Sequence, residues 1–149
     1  LWVKGPQVMK GYLNNPDATA ATIDADGWLH TGDIAVIDAD GHVSIVDRLK
    51  ELIKVKGFQV APAELEAMLL THPAVADVAV IGVADAQSGE IPRAYVVVTP
   101  GQTVTAGDLT AFMAQRVATY KVIHDVEFVE TIPKSASGKI LRRLLRDQA

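Results

Sequence analysis

At 149 residues with 49% hydrophobic content, the chain can hold one modest globular domain, or one domain and the tail of another, and is too short for a large enzyme. Eighteen acidic residues against fourteen Lys and Arg, with no block of like charge, exclude a general attraction to nucleic acid or to an anionic membrane, so any anion site must be local. The absence of cysteine excludes a disulfide framework, a thiolate nucleophile and a thiol metal site. No apolar run is long enough for a transmembrane segment, and "LWVKGPQVMKGY" lacks the features of a secretion signal, so a cytoplasmic protein is expected. His30, His42, His72 and His124 show no ligand spacing with one another or with a carboxylate cluster, and no metal site is predicted.

In chain order, "LWVKG" reads as a short strand and "NNPDATAATID" as a short helix with an asparagine cap and an early proline. "DGWLHTGDIAVIDADGHVSIVDR" alternates apolar and polar residues around a turn at Asp40 and Gly41. Strands this short, without neighbours to complete a sheet, suggest that residues 1–48 are the β-rich remnant of a preceding domain. Unpaired strands of this kind also make self-association possible.

After Lys50 the pattern changes. "ELIKV" and "FQVA" flank a turn at Lys56 and Gly57, and Pro62 opens a helix with Leu65, Met68 and Leu69 at helical spacing, ended by His72 and Pro73. Two apolar strands follow, "VADVAVIGVA" and "IPRAYVVV", joined by "DAQSGE". A second helix is predicted from about Thr105 to Thr119, then a strand "VEFVE", a Ser/Gly loop and a leucine-rich basic helix. This order predicts an α+β unit over residues 49–149: a three-stranded sheet covered on one face by helices, plus a two-stranded hairpin.

The residues that carry chemistry lie mostly outside the regular core. Asp33, in "TGD", offers a carboxylate that can accept from a pair of ribose hydroxyls, or that can simply close an Asx turn. Arg48, Lys50, Lys54 and Lys56 place basic side chains along one stretch, either for an anionic ligand or as solvated charges on a hairpin edge. "KSASGK" surrounds Lys139 with flexible backbone donors, which suits an anion better than packing. It lacks the P-loop spacing, so a self-sufficient nucleotide site is not predicted there.

Taken together, "GYLNNPDAT", "GWLHTGD", "VDRLKELIKVKGFQVAPAELE" and "IPKSASGKILRR" resemble the closing motifs of the acyl-adenylate-forming superfamily, which includes acyl-CoA synthetases, 4-coumarate:CoA ligases, luciferases and peptide-synthetase adenylation domains. The likeness covers nearly the whole chain, and its wording is most similar to 4-coumarate:CoA ligases and fatty acyl-CoA synthetases. The resemblance implies that residues 1–48 end a large N-terminal adenylating domain and that residues 49–149 are the mobile C-terminal domain of an AMP-forming ligase. It implies ATP with Mg2+, a carboxylic acid and coenzyme A as substrates, none bound tightly by this chain alone, and the remaining N-terminal domain as its partner.

By the same resemblance Asp33 and Arg48 hold the ribose hydroxyls, Lys50 is the hinge, and Lys139 reaches the substrate carboxylate and α-phosphate during adenylation. Lys54 and Gln59 face the nucleotide in the thioester-forming orientation, and Lys56 and Gly57 lie beside the channel for coenzyme A. Val55, often aromatic in the family, alters the surface lining that channel, while His42 and Thr119 are further departures. An alanine-rich composition and the ending "RDQA" favour a bacterial cytoplasmic enzyme over a luciferase. The alternatives are an adenylation domain that loads a carrier-protein thiol and a non-catalytic interaction module.

Overall fold

A computed structural model describes residues 1–149, which divide into two compact units, Leu1–Lys50 and Glu51–Ala149. In the first unit, β1 (Trp2–Val3) pairs antiparallel with β2 (Leu29–His30), which gives the opening strand one partner. Between them lies α1 (Pro16–Thr22), capped by the Asn15 side chain, which accepts from the Ala18 amide at 3.1 Å. β3 (Asp33–Ile37) and β4 (Val43–Arg48) form an antiparallel hairpin. Its turn gathers ligand atoms of Asp38, Asp40 and His42 within 4.8 Å of one another, a proximity the sequence reading missed. All three are exposed, and the Asp38 carboxylate is occupied with the amides of Asp40 and His42, so its visible work is to close the turn.

Burial separates the two units. Every buried hydrophobic side chain lies beyond Lys50, whereas in the first unit only Asp47 is buried. Val36, Ile37, Val43 and Ile45 of the hairpin are all exposed.

The second unit has the expected α+β character. A tight hairpin joins β5 (Ile53–Val55) to β6 (Phe58–Val60), and α2 (Pro62–Leu69) follows. β7 (Val75–Asp85) and β8 (Gly89–Val98) pair along their whole length, with one register shift near Val75. α3 (Ala106–Ala114) leads to β9 (Asp125–Phe128), which lies parallel to β8, and α4 (Arg142–Arg146) ends the fold. The hairpin and the three-stranded sheet, read separately from the sequence, are joined by the pair Val55 and Gly89 into one five-stranded sheet. β8 is its centre and β7 one of its edges.

Two further expectations are corrected. α3 stops at Ala114, not Thr119, because the Arg116 and Val117 amides turn back to the Met113 carbonyl, and Thr119–Lys121 form a separate short 3-10 turn. Helices cover both faces of the sheet, not one. Leu65 and Leu69 of α2 and Leu109 and Met113 of α3 pack with Val78, Val80, Ala94 and Val96, while Leu145 of α4 and Ile132 pack with Ala79, Ile81 and Tyr95. The alternation of side chains along β7 and β8 makes this possible: beyond the register shift after Val75, the even positions Val78, Val80, Ala94 and Val96 serve one core and the odd positions Ala79, Ile81 and Tyr95 the other. No helix is long and apolar enough to cross a membrane.

Candidate functional site

Asp33 and Arg48 are cross-strand partners at the open end of the β3–β4 hairpin, and the Arg48 Nε lies 3.2 Å from the Asp33 Oδ1. The neighbouring turn is closed by Thr31, whose hydroxyl accepts from the Asp33 amide at 3.0 Å, so the Asp33 carboxylate is spared the Asx turn that was its alternative reading. One oxygen engages arginine and the other keeps its acceptor capacity. Arg48 and Lys50 line an open cleft of about 450 Å³ with Thr31, Gly32 and Leu49. Lys50 lies in a 3-10 turn, Leu49–Glu51, at the boundary between the compact units.

In the second unit, the β5–β6 turn requires positive φ at both central residues, 50° at Lys56 and 85° at Gly57. A Cβ on Gly57 would meet nothing within 4 Å, so glycine here serves the backbone conformation and not a close approach. Lys54 and Gln59 are directly opposite one another on the two strands, and both are exposed. Ile53, Val55 and Val60 are buried and hold the hairpin to the core. Beside the turn lies a largely apolar groove of about 360 Å³, lined by Val55, Lys56, Ile91, Pro92, Tyr120 and His124 among others. Val55, the departure noted in the sequence, is therefore a wall of that groove.

The "KSASGK" segment is an ordered turn. Lys134 and Ile140 form a β-bridge, the Ser135 amide donates to the Lys139 carbonyl at 2.8 Å, and the Leu141 amide donates to the Pro133 carbonyl at 2.8 Å. Gly138, at φ 79°, closes the tip, and its amide donates to the Ser135 carbonyl. The Lys139 amide in turn donates to the Ser135 hydroxyl at 3.2 Å. Three backbone donors expected to be open to an anion are thus spent inside the turn. What remains is the Lys139 ammonium: Ile140 packs inward on the Ala79–Tyr95 cluster, and Lys139, its neighbour on an extended arm, is exposed and forms no ion pair within 4.0 Å.

Sequence reasoning missed the residues that hold this turn. Lys134 Nζ is 2.6 Å from the Asp77 carboxylate. On the other side, Arg142 donates through one terminal nitrogen to both oxygens of Glu66, at 2.8 and 2.7 Å, and through Nε to the Val80 carbonyl at 3.2 Å. Glu66 also accepts from the Val80 amide at 2.8 Å. Both outward backbone groups of Val80, on the edge strand β7, are thereby capped by side chains from α2 and α4. Farther along α4, Arg146 pairs with Glu51, the residue after Lys50. A signal was present: Glu66 occupies the buried stripe Pro62, Leu65, Glu66 and Leu69, where a charge requires a partner.

A family model described as the AMP-binding enzyme C-terminal domain matches residues 64–139. The chain is 58% identical over 144 residues to 4-coumarate-CoA ligase 1 of Narcissus pseudonarcissus, covering 97% of this chain and 26% of that protein. A 4-coumarate-CoA ligase of Solanum tuberosum is 59% identical over the same length. The chain thus spans about a quarter of the length of the curated relatives it matches. Among solved structures, o-succinylbenzoate CoA synthetase of Bacillus subtilis, in complex with its acyl-adenylate intermediate, superposes with a TM-score of 0.89 at 41% identity, over 98% of this chain and 30% of that one. The amide bond synthetase of Marinactinospora thermotolerans superposes with a TM-score of 0.89 at 37% identity, over 99% of this chain and 30% of that one.

Proposed function

The chain belongs to the AMP-binding enzyme C-terminal domain family, within the acyl-adenylate-forming superfamily, and on that premise we propose that it is the closing part of an AMP-forming acid–thiol ligase of the 4-coumarate–CoA type. In this reading residues 1–48 finish the large adenylating domain and residues 49–149 are the mobile domain that follows. The intact enzyme joins a carboxylic acid to ATP, supplied as its magnesium complex. An acid oxygen attacks the α-phosphorus and pyrophosphate leaves; the thiol of coenzyme A then attacks the acyl carbon of the acyl-AMP, and AMP leaves with the electrons of the broken C–O bond.

The observation that carries this reading is the Lys139 turn. A single ammonium with no carboxylate partner, on a backbone whose own polar groups are satisfied, suits the stabilisation of negative charge on a transferring phosphoryl group. Lys139 is a point charge there and moves no proton. Asp33 accepts the ribose hydroxyls through the acceptor capacity left by Arg48. Lys54 and Gln59, adjacent across the β5–β6 hairpin, face the nucleotide during the thioester step, with Lys56 and Gly57 beside the coenzyme A channel. Support for a hinge at Lys50 comes from the division of the chain into compact units at that residue.

The test is to time the two half-reactions separately in the full-length enzyme. Lys139→Ala is expected to reduce acyl-AMP formation by roughly a hundredfold or more, while supplied acyl-AMP and coenzyme A still give thioester. Lys54→Ala is expected to do the reverse. Equal damage to both steps from either substitution would rule out the two-orientation reading.

A further inference from the structure

We propose that Arg142 and Glu66 are positioning residues for Lys139, a role that rests on the ligase reading above. Lysine has a long, flexible side chain, so the precision with which its ammonium is delivered depends on where its backbone is held. Lys139 sits on the return arm of the turn from Pro133 to Leu141, three residues before Arg142. The guanidinium of Arg142 is fixed at three points: two on the Glu66 carboxylate and one on the Val80 carbonyl. The Arg142 and Glu66 side chains are only 16% and 10% exposed, against 38% and 31% for the Lys134–Asp77 pair on the outgoing arm. A largely buried, planar, multiply bonded pair defines one geometry, whereas a more exposed lysine–aspartate pair exchanges with water. The buried pair is therefore the fixed end of the lever, and the tip with Lys139 is its free end.

A displacement of about 1 Å at a catalytic charge can cost on the order of a hundredfold in rate. Loosening the anchor should consequently lower the adenylation kcat without removing any group that touches substrate. Thioester formation, assigned to the Lys54 face of a different element, should be spared.

Arg142→Lys keeps the charge and removes the planar fork; Glu66→Gln keeps the shape and removes the charge. Each variant is made in the full-length enzyme and compared with wild type by pyrophosphate release, by thioester formation from supplied acyl-AMP and coenzyme A, and by amide hydrogen exchange. The expected result is an adenylation kcat reduced about tenfold or more with KM for ATP within about twofold, and a thioester step within about twofold of wild type. Exchange at Ser135, Gly138 and Lys139 should rise while Ala94 and Val96 of β8 keep their protection. Unchanged exchange in the turn, or equal loss of both half-reactions, would overturn the proposal. So would loss of β8 protection in both variants, since the pair would then be a requirement of the fold as a whole. A wild-type enzyme that makes no acyl-AMP would refute the ligase reading instead, and the exchange measurement would still decide whether the pair holds the turn.

Discussion

The ring of Phe58 lies on that of Tyr120, with centroids 4.4 Å apart and planes 17° from parallel. This stack ties β6 to the 3-10 turn at Thr119–Lys121, and the same turn is tied to α2 by Lys121, whose ammonium reaches both oxygens of Glu64 at 2.7 Å. Apart from its buried Ile53, Val55 and Val60, the β5–β6 hairpin joins the sheet through the pair Val55 and Gly89, the Lys56 amide on the Ser88 carbonyl, and the Lys54 amide on Glu90. Phe58→Ala should therefore loosen the hairpin more than the core. An aromatic pair contributes about 0.5–1.5 kcal/mol beyond its buried area, and Phe58 is 54% exposed, so the expected loss of stability is near the lower end of that range. Under the proposed role of Lys54 and Gln59, which lie on this hairpin, the thioester step of the full-length protein should slow more than adenylation. Urea titration and the two half-reaction rates check the two parts independently.

The local elements were legible in the sequence because their signals are local. Asn15 with Pro16, Lys56 with Gly57, and Pro62 each impose a backbone conformation on their own neighbours, and each stands where it was read. The resemblance gives Asp33 and Arg48 one shared task, and the hairpin register, which no local signal in the sequence reveals, makes them direct cross-strand partners. The end of α3 was misread because Val117 continues the apolar spacing of the helix while packing from outside it. The placement of α4 on the opposite face was not legible: a five-residue helix shows no reliable period, and its position depends on Leu145 and on the Glu66 ion pair, contacts made far along the chain. The order of the Lys139 turn was hidden for a similar reason, since Ser and Gly mark flexibility in sequence yet here supply a hydroxyl acceptor and a positive φ.

Amide exchange should differ sharply between the compact units. Residues 1–50 bury no hydrophobic side chain, and their strands pair only two at a time, whereas β7 and β8 pair over their full length between two apolar layers. In the 149-residue chain, amides of Ala35 and Ile45 should exchange faster than those of Val80 and Val96 by on the order of a hundredfold or more. Protection of the β3–β4 hairpin that grows with protein concentration would indicate pairing with a second copy through its apolar strands. Uniform protection at all concentrations would contradict the assignment of residues 1–48 to a larger domain that completes them.

Acid should destabilise the fold through specific aspartates, and Asp108 gives the clearest case. Its carboxylate accepts from the Thr105 hydroxyl at 2.7 Å and from the Thr105 amide at 2.9 Å, completing a capping box at the start of α3. The hydroxyl bond first, then the amide bond, holds its pKa below the ordinary 3.8. The Asp85 carboxylate is lowered in the same direction, chiefly by the Ser88 amide, as are Asp24 by the Trp28 amide and Asp38 by the His42 amide. A carboxylate whose pKa is lower in the folded state binds fewer protons there than in the unfolded chain. Its contribution to stability is complete above the unfolded value and disappears as pH falls through the folded one. Denaturation midpoints should therefore fall as the pH drops below 3.8, the ordinary aspartate value. Asp108→Asn cannot ionise, so it should start less stable at neutral pH and lose less on acidification. Urea titrations of both proteins across that interval measure the two slopes, and parallel curves would show that the cap carries none of the acid sensitivity.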